Sequence, residues 1–304
     1  MTITLPAGVQ VIERGWLSAN LVVAHGQVPA LIDSGYVAHQ AQTVQLARTA
    51  LKTQEPALLI NTHLHSDHCG GNAALQSAFP QMRTWIPPGQ AQEVAAWNED
   101  ALTYRPTGQD CPRFRFEGLL QPGQDILLGD LPWQVHAAPG HDPHSVVLFE
   151  PVSRTLISAD ALWQNGFGVV FPELEGESAF GEVAATLDRI EDLQPAVVIP
   201  GHGSVFAYSP QVMDRARQRL ASFVNSPKRH AQHAAKVLIK FKLLEVQKQP
   251  TDVFVDWAAS TPYLALLHQR FYAEQGLRDW LQGLLGELQA VGAARLDSGW
   301  TLNA

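Results

Sequence analysis

Three histidines and one carboxylate lie within six consecutive residues of the N-terminal half. They are His63, His65, Asp67 and His68, inside the segment 61–72. Neutral imidazole and carboxylate groups are ligands for first-row metal ions. The alternative is a helix-capping turn with incidental histidines, but a turn needs only about one such polar side chain. The density of these side chains therefore predicts a metal site.

The spacing of these four side chains divides them into two pairs. In extended backbone, side chains at positions i and i+2 point the same way, so we expect His63 and His65 to bind one ion together. Asp67 and His68 follow where the chain turns. A turn can direct both of these side chains toward a second ion. The preceding residues, Ala57–Ile60, form a short apolar run that is typical of a buried strand. The glycine pair that follows indicates a turn into a helix at about residues 73–79.

Short apolar or alternating segments separated by glycine and proline predict an α/β fold with many strands. The predicted strands are Val9–Ile12, Ala19–Ala24, Val28–Ile32, Thr84–Ile86, Asp125–Leu128, Trp133–Ala137, Val146–Phe149, Thr155–Ser158 and Ala196–Ile199. Amphipathic spacing predicts helices at Ala38–Thr53 and Glu182–Asp192. The Pro- and Gly-rich residues 87–123 give little pattern.

The character of the sequence changes after Tyr208. Helical patterns cover Pro210–Val224, Pro227–Val246, Pro262–Gln275 and Leu277–Val291, and the chain ends in a hairpin signal at Ala293–Leu296 and Trp300–Leu302. Helices followed by a terminal hairpin indicate a winged-helix-like appendage. We therefore expect two domains, residues 1–208 and residues 209–304.

Three later polar residues share one context, the end of an apolar strand beside glycine or a tight turn. They are His141 after Pro139-Gly140, Asp160 after the strand at 155–158, and His202 after Pro200-Gly201. Each residue alone is weak evidence for a metal ligand, because a histidine at a strand end more often has a structural role. Together with the first cluster, in this order, they form a distinctive set.

This set resembles the metallo-β-lactamase superfamily over residues 9–208. The resemblance implies an αβ/βα sandwich with the site at one edge of two packed sheets. It assigns His63, His65 and His141 to a first metal ion, assigns Asp67, His68 and His202 to a second, and places Asp160 as the bridge. Asp33 matches the acidic residue that supports the ligand loop. Two divalent ions per chain are expected, with zinc as the default for these N and O ligands and iron or manganese as alternatives.

The resemblance also implies hydrolysis by a metal-bound hydroxide, with Asp67 orienting the nucleophile or passing a proton. Asp160 stands where many β-lactamases carry cysteine, which favours the glyoxalase II-like and general hydrolase branches. Those enzymes often carry a second histidine where this chain has Ser145. His144 lies one residue earlier, either as an outer contact or as a polar loop residue. A thioester or ester is the leading substrate class.

The loop 163–172, rich in aromatic residues and glycine, either lines the pocket as a mobile segment or packs into the core. An apolar rim favours an acyl group. The first rival function is a metal-dependent endoribonuclease or phosphodiesterase, because some superfamily members with a winged-helix-like extension cut RNA. The second rival is a persulfide dioxygenase with one iron. A non-catalytic binding protein has little reason to keep every ligand.

Net charge is −8, but the segment 211–248 carries nine cations and two anions. This surplus is either a solvated helical face, which we favour, or a site for an anionic carrier or nucleic acid. A small-molecule or carrier-linked acyl group is the expected partner, and nucleic acid is less favoured. Apolar residues of the helical tail fill a core or form a homodimer contact: Trp257, Tyr263, Leu266, Phe271 and Trp280.

The same sequence predicts a cytoplasmic protein. Only two cysteines occur, Cys69 and Cys111, too few for a disulfide scaffold, and Cys69 is expected to be a small buried thiol. No segment approaches the roughly 20 apolar residues that cross a bilayer. The first thirty residues do not resemble a secretory signal peptide, so we expect no membrane association.

Overall fold

A computed structural model of the chain describes residues 3–304 and divides it into two compact units. The first unit runs to Leu102 and resumes from Asp110 to Ala221, and the second comprises Thr103–Gln109 and Ser222–Ala304. The predicted domain limits, 1–208 and 209–304, differ from these units in the segment 103–109 and in residues 209–221. Those limits stay a prediction.

The first sheet of the first unit has six strands in sequence order. They are β1 (Val9–Ile12), β2 (Leu21–Ala24), β3 (Ala30–Ile32), β4 (Leu58–Ile60), β5 (Arg83–Ile86) and β6 (Gly118–Leu119). The first three strands pair antiparallel, and the last four, from β3 onward, pair parallel. Parallel neighbours place the carboxyl ends of β3 and β4 at one edge, so Asp33 and the His63 cluster leave the sheet side by side.

The second sheet also has six strands. They are β7 (Asp125–Leu128), β8 (Leu131–Ala137), β9 (Val146–Glu150), β10 (Thr155–Ala159), β11 (Val197–Pro200) and β12 (Phe206–Ala207). All neighbours pair antiparallel except β10 and β11, which are parallel. Asp160 and His202 follow these two parallel strands and therefore emerge at the same edge.

Alternation along the strands explains why the sheets stack. In β2, Val22 and Ala24 join a buried cluster with residues of the second sheet, such as Leu148 and Ile157. The intervening Leu21 and Val23 face the other way and join a cluster with helix residues. The first sheet is therefore apolar on both faces, one against the second sheet and one under helices.

Among the described residues 3–304, seven α-helices contain residues of the first unit. They are α1 (Gln40–Leu51), α2 (Ser66–Cys69), α3 (Asn72–Ala78), α4 (Ala91–Ala96), α6 (Phe171–Glu175), α7 (Phe180–Leu193) and α8 (Pro210–Val224), whose last residues enter the second unit. Helices α1 and α3 cover the first sheet through Ala47, Leu51 and Leu75. Helix α7 buries Val183, Leu187 and Ile190. These layers confirm the predicted αβ/βα sandwich.

The second unit is mostly helical with one small sheet. It contains α5 (Tyr104–Thr107), α9 (Pro227–Val246), α10 (Thr251–Ser260), α11 (Pro262–Phe271) and α12 (Leu277–Ala290), with strands β13 (Lys248–Pro250), β14 (Ala294–Asp297) and β15 (Trp300–Asn303). The sheet order is β13-β15-β14, all antiparallel. The predicted terminal hairpin is confirmed as β14–β15, and so is a helical C-terminal region.

Several elements of the second unit depart from the predicted pattern. The predicted helix 262–275 ends at Phe271, where the Tyr272 N–H closes the last turn on the His268 carbonyl. The sequence pattern does not predict helix α10, because Pro250 by itself indicates only that a helical segment is interrupted there. Pro250 instead lies at the N-cap, where a missing N–H is harmless. Tyr263 and Trp280 are buried core residues, and a homodimer contact stays a prediction.

Among residues 3–304, none of the helices combines the length and the apolar character that crossing a membrane requires.

The sandwich core makes a direct prediction for stability. We expect Leu148→Ala to destabilise the fold by about 2–5 kcal/mol, because Leu148 is fully buried between the sheets. Val152→Ala is the matched control, since Val152 is 89% exposed and should change stability by less than about 0.5 kcal/mol. Urea unfolding followed by tryptophan fluorescence measures both, and equal shifts in the two midpoints would contradict the assigned core.

Candidate metal centre

The loop after β4 is fixed by buried amides and by close backbone contact. Asn61 donates its side-chain N–H to the His68 carbonyl at 3.2 Å, and Asn72 donates to Asn61 Oδ1 at 2.7 Å. A Cβ atom on Gly71 would clash with the Ser34 backbone oxygen, so only glycine fits there. The loop therefore presents the side chains at 63–68 from a rigid frame.

The second sheet supplies the remaining predicted ligands from three strand ends. His141 follows β8, Asp160 follows β10, and His202 follows β11. Ala159 has φ +47°, and the pairing of β10 with β11 shifts register beside it, which turns the chain as Asp160 leaves the strand. A Cβ on Gly201 would clash with Asp160 Oδ1. This glycine lets the β11 loop approach the carboxylate closely.

The first predicted ligand group is compact. His65 Nδ1 lies 3.1 Å from His63 Nε2 and 2.8 Å from His141 Nε2. Two nitrogens bound to one tetrahedral zinc at about 2.0–2.1 Å would be roughly 3.3 Å apart. The three imidazoles therefore present one nitrogen each at a spacing close to that of a shared cation.

The second predicted group lies beside the first, and Asp160 lies between them. His202 Nε2 lies 3.0 Å from Asp67 Oδ2, and His68 Nε2 lies 3.5 Å from Asp160 Oδ1. The other oxygen, Asp160 Oδ2, is 3.5 Å from His141 Nε2 and 3.8 Å from His202 Nε2. One carboxylate thus faces histidines of both groups, which is the placement a bridging ligand needs.

Each of the five histidines directs its second ring nitrogen toward an acceptor. Four pairs lie within hydrogen-bond distance: His63 Nδ1 with Thr62 Oγ1 at 3.2 Å, His68 Nδ1 with Asp33 Oδ2 at 2.8 Å, His141 Nδ1 with the Val169 carbonyl at 2.5 Å, and His202 Nδ1 with the Gly15 carbonyl at 3.3 Å. In the fifth pair, His65 Nε2 faces Asp142 Oδ2 at 3.8 Å, a charge contact longer than a hydrogen bond. In a neutral imidazole, an outer acceptor fixes the tautomer and leaves the inner nitrogen as a lone pair. This arrangement is typical of metal-binding histidines.

Asp33 supports two of the ligands. It contacts His68 directly, and it accepts the Thr62 hydroxyl at 2.8 Å and the Thr62 backbone N–H at 2.9 Å. Thr62 Oγ1 in turn contacts the His63 ring. The sequence resemblance gave Asp33 a supporting role, and the structure places it where that role is physically available.

One orphaned atom tests whether the donors fit a cation. His68 Nε2 is buried and has no hydrogen-bond partner among the described residues. A buried polar atom without a partner costs about 1–3 kcal/mol. The same histidine belongs to two of the three donor groups whose atoms lie within 4.8 Å of one another: His63, His65 and His141; His63, His68 and Asp160; and Asp67, His68 and His202. A cation at these donors would give this nitrogen its partner, so the residues fit a metal.

Charge and burial set the protonation states that matter for binding. Burial, reinforced by neighbouring imidazoles, lowers the pKa of His63 well below its ordinary value and that of His65 to about 4. Burial opposes ionisation of Asp160, but His202 and His68 lower the pKa of that carboxyl well below its usual range. Neutral imidazoles and an ionised carboxylate are the forms that bind cations.

His68 and His202 behave in the opposite way. Burial alone would lower the pKa of His68, but the carboxylates of Asp33 and Asp160 raise it well above its ordinary value. Burial likewise opposes the charged form of His202, and Asp160 raises the pKa of His202. A proton must therefore leave each ring before its inner nitrogen binds a cation.

The structure brings together every predicted ligand and leaves two other candidates outside. His144 belongs to none of the donor groups, and its ring packs against Gly89. Cys69 is buried, with its Sγ directed to the Leu64 carbonyl and 3.7 Å from Cys111 Sγ. His144 is therefore not placed as a direct ligand, and its role as an outer contact or a polar loop residue stays a prediction, whereas Cys69 is a buried thiol.

Sequence reasoning missed four side chains that touch the ligands or their loops. Trp163 donates its indole N–H to Asp160 Oδ1 at 3.2 Å, and Trp16 stacks on His202 with ring centroids 5.5 Å apart. Asn20 donates to the carbonyls of Pro200 and Gly203, beside His202. Asp142, the fourth, directly follows His141, so its adjacency was a usable signal. Trp163 lies in the loop 163–172 that the sequence indicated as a possible pocket lining, whereas Trp16 and Asn20 are distant in sequence from the residues they contact and gave no signal.

The loop after Asp160 was predicted either to line the pocket or to pack into the core, and different residues of the loop do each. Phe167 and Val170 are buried and pack in the core. Phe171 instead lies beside the ligands, 5.1 Å from the His65 ring and 5.7 Å from the His141 ring between centroids. With Trp163 and Trp16, it gives the centre an aromatic surround.

Comparison with known proteins agrees with this geometry. The profile of the metallo-beta-lactamase superfamily matches residues 14–202. A hydroxyacylglutathione hydrolase of Anaeromyxobacter dehalogenans is 30% identical over 185 residues, 60% of this chain and 59% of that protein. The human acyl-coenzyme A thioesterase MBLAC2 is 26% identical over 165 residues, 50% of this chain and 58% of that protein. The chain thus spans about three fifths of the length of either relative.

A solved structure extends the similarity to the whole chain. The metallo-beta-lactamase family protein TTHA1429 of Thermus thermophilus superposes with a TM-score of 0.58 at 18% identity, over 99% of this chain and 100% of that one. Because the identity is low, this similarity concerns the fold, including the helical C-terminal region.

Removal of a ligand tests the centre directly. We expect His63→Ala or Asp160→Ala to lose hydrolysis and to retain about one metal ion fewer per chain, because a site needs at least three protein ligands. His144→Ala is the matched control and should keep its metal, since that ring lies outside the donor groups. Elemental analysis and circular dichroism on the same samples measure metal and fold. Full metal content and activity in either ligand variant would refute the assignment.

The raised pKa values of His68 and His202 predict how binding depends on pH. Both rings hold a proton that a cation must displace, so zinc affinity should rise from about pH 6 to about pH 8. Chelator competition at constant ionic strength gives the dissociation constant at each pH. An affinity that stays constant or falls over this range would contradict the assigned ligands.

Proposed function

The chain belongs to the metallo-beta-lactamase superfamily and is a metallo-hydrolase, and from this premise we propose that it hydrolyses a thioester or ester at a two-metal centre. The observation that carries the proposal is the position of Asp160, whose carboxylate lies between the two donor groups. A single-ion site would have no need of the complete second group, Asp67, His68 and His202.

Ions held by the two donor groups would supply Lewis-acid chemistry, which polarises a carbonyl and lowers the pKa of a water toward about 7. The protein's part is to hold charge and orientation. Asp67 accepts from His202 at 3.0 Å, and although burial opposes its ionisation, His68 and that hydrogen bond lower the pKa of Asp67. Asp67 is therefore an acceptor at the outset, suited to orient a water and later to receive its proton. Zinc is the proposed metal, with iron and manganese as alternatives.

The surround of the centre favours an acyl substrate. Three aromatic rings lie beside the ligands: Trp16, Trp163 and Phe171. Rings of this kind bury apolar groups efficiently. The two named relatives act on an acylated glutathione and on acyl-coenzyme A, which supports an acyl group on a sulfur-containing carrier.

The cations of segment 211–248 give less support to an RNA-cleaving alternative. Four of them pair with carboxylates: Arg217 with Asp188 and Glu191, Lys228 with Glu274, Lys236 with Glu287, and Lys242 with Glu245. Two more donate to backbone carbonyls, Arg215 to Gln164 and Lys240 to Ala293. Charges already paired within the protein attract phosphates less. The excess of cations in the segment 211–248 is therefore better explained as a solvated helical surface.

The helical C-terminal region is proposed to be winged-helix-like. A long helix, a short strand, further helices and a terminal hairpin follow one another, and β15 lies between β13 and β14. The turn of that hairpin, Asp297-Ser298-Gly299, carries an acidic residue and no cation. The turn itself therefore offers no cation to a phosphate backbone, although Lys248 lies over the neighbouring Trp300 ring. A cytoplasmic location remains a prediction from cysteine usage.

One metal-analysed preparation tests the function. We expect thioesters or esters to be cleaved with the highest kcat/KM in a panel that also holds lactones, β-lactams and phosphodiesters, and we expect two ions per chain. The dioxygenase alternative predicts one iron per chain with oxygen uptake on a persulfide. Preferred cleavage of phosphodiesters, together with RNA binding that weakens steeply with salt, would replace the proposal with a nuclease.

A further inference from the structure

We propose that Asp142 is a positioning residue that holds the His65 imidazole in the orientation the first ligand group requires. The inference rests on the metal centre proposed above, and it assigns a role to a carboxylate that the superfamily resemblance left unassigned. It follows from three observations: the placement of the His65 ring, the fixed position of Asp142, and the pattern of acceptors around the other histidines.

The His65 ring divides its two nitrogens between the ligand group and Asp142. Nδ1 faces His63 Nε2 and His141 Nε2 at 3.1 and 2.8 Å. A neutral imidazole carries its one proton on the other nitrogen when this one serves as a lone pair. Nε2 then carries the N–H, and it faces Asp142 Oδ2 at 3.8 Å, an electrostatic contact that is longer than a hydrogen bond. A carboxylate only accepts, so it favours this tautomer and this face of the ring.

Asp142 is itself held by the turn in which it lies. Its second oxygen, Oδ1, accepts the His144 backbone N–H at 2.7 Å, and its carbonyl accepts the Ser145 N–H at 3.4 Å. The residue is buried. The carboxylate therefore has one oxygen committed to the turn, and the other is left facing the imidazole. Since His141 is the preceding residue, the same short turn places one ligand and the support of another.

His65 needs such support more than the other ligand histidines do. Its side chain is 16% exposed, compared with 0% for His68 and 3% for His202. Packing therefore restrains the His65 ring least.

The acceptors around the other four histidines show the same principle. Thr62 Oγ1 and two backbone carbonyls serve His63, His141 and His202, and these acceptors are neutral. Carboxylates serve the remaining two, Asp33 for His68 and Asp142 for His65. Each ligand group thus contains one histidine backed by a negative charge. An outer carboxylate raises the electron-donating power of the imidazole as well as fixing its orientation.

The variant Asp142→Asn separates positioning from turn formation. The asparagine oxygen can still accept the His144 N–H, which preserves the turn. Its NH2 group then faces His65 Nε2–H, donor against donor. The amide can reverse this only by giving up the turn. We expect the zinc affinity of the first ligand group to fall about 10–100-fold, the usual effect of losing an outer partner, with the thermal midpoint of the metal-free protein unchanged.

Asp130→Asn is the matched control. Asp130 Oδ1 also accepts a backbone N–H, from Gln27 at 2.8 Å, but at the opposite end of β8 from His141. Zinc affinity measured by chelator competition should be unchanged in this control. Unchanged zinc affinity in Asp142→Asn would overturn the inference. A fall accompanied by an equal loss of metal-free stability would overturn it too, because it would mark a structural turn residue. The readout uses no substrate, so a failed thioester assay would leave this result standing.

Discussion

Eight polar side chains share one largely buried volume at the sheet edge, and the rest of the site is arranged around the cost of placing them there. Five are imidazoles and three are carboxylates: His63, His65, His68, His141 and His202, with Asp33, Asp67 and Asp160. Burying such groups without partners costs several kcal/mol each. The structure meets that cost by giving almost every outer atom an acceptor and by directing the inner atoms at one another. Such a cluster is stable only as a network, in which a cation completes what hydrogen bonds leave incomplete.

The sandwich architecture makes this network possible because it brings strand ends from two sheets to one edge. Asp33 and the 61–72 loop come from the parallel strands β3 and β4, whereas Asp160 and His202 come from the parallel strands β10 and β11. Asn20 joins the two halves by holding the loop that carries His202. Close approach then depends on small residues, as at Gly71 against Ser34 and Gly201 against Asp160. The backbone itself brings the ligand residues close together, so their side chains need to span only short distances to the centre.

Much of this was predictable from the sequence because the strongest signals are local. His63 and His65 are identifiable from their spacing, and β1 has the bounds its alternation predicts, Val9–Ile12. The resemblance then supplied His141, Asp160 and His202, which spacing alone could not group. What could not be predicted is tertiary. Trp16 reaches His202 from 186 residues away in sequence, and Asn20 reaches the Pro200 and Gly203 carbonyls from a similar separation. Helix α10 was missed because a proline that ends one element also begins the next.

The loop after Asp160 contacts the ligand residues at several points. Trp163 donates to Asp160, the Val169 carbonyl accepts from His141, and the Phe171 ring lies against His65. The same stretch supplies two of the three aromatic rings that surround the ligands. A change of substrate made by exchanging this loop would therefore also disturb the orientation of ligands in both groups. Trp16 also contacts a ligand, because its ring stacks on His202, but it does so from a separate loop and is 56% exposed. Exchanging Trp16 would therefore leave the hydrogen bonds of the loop after Asp160 in place.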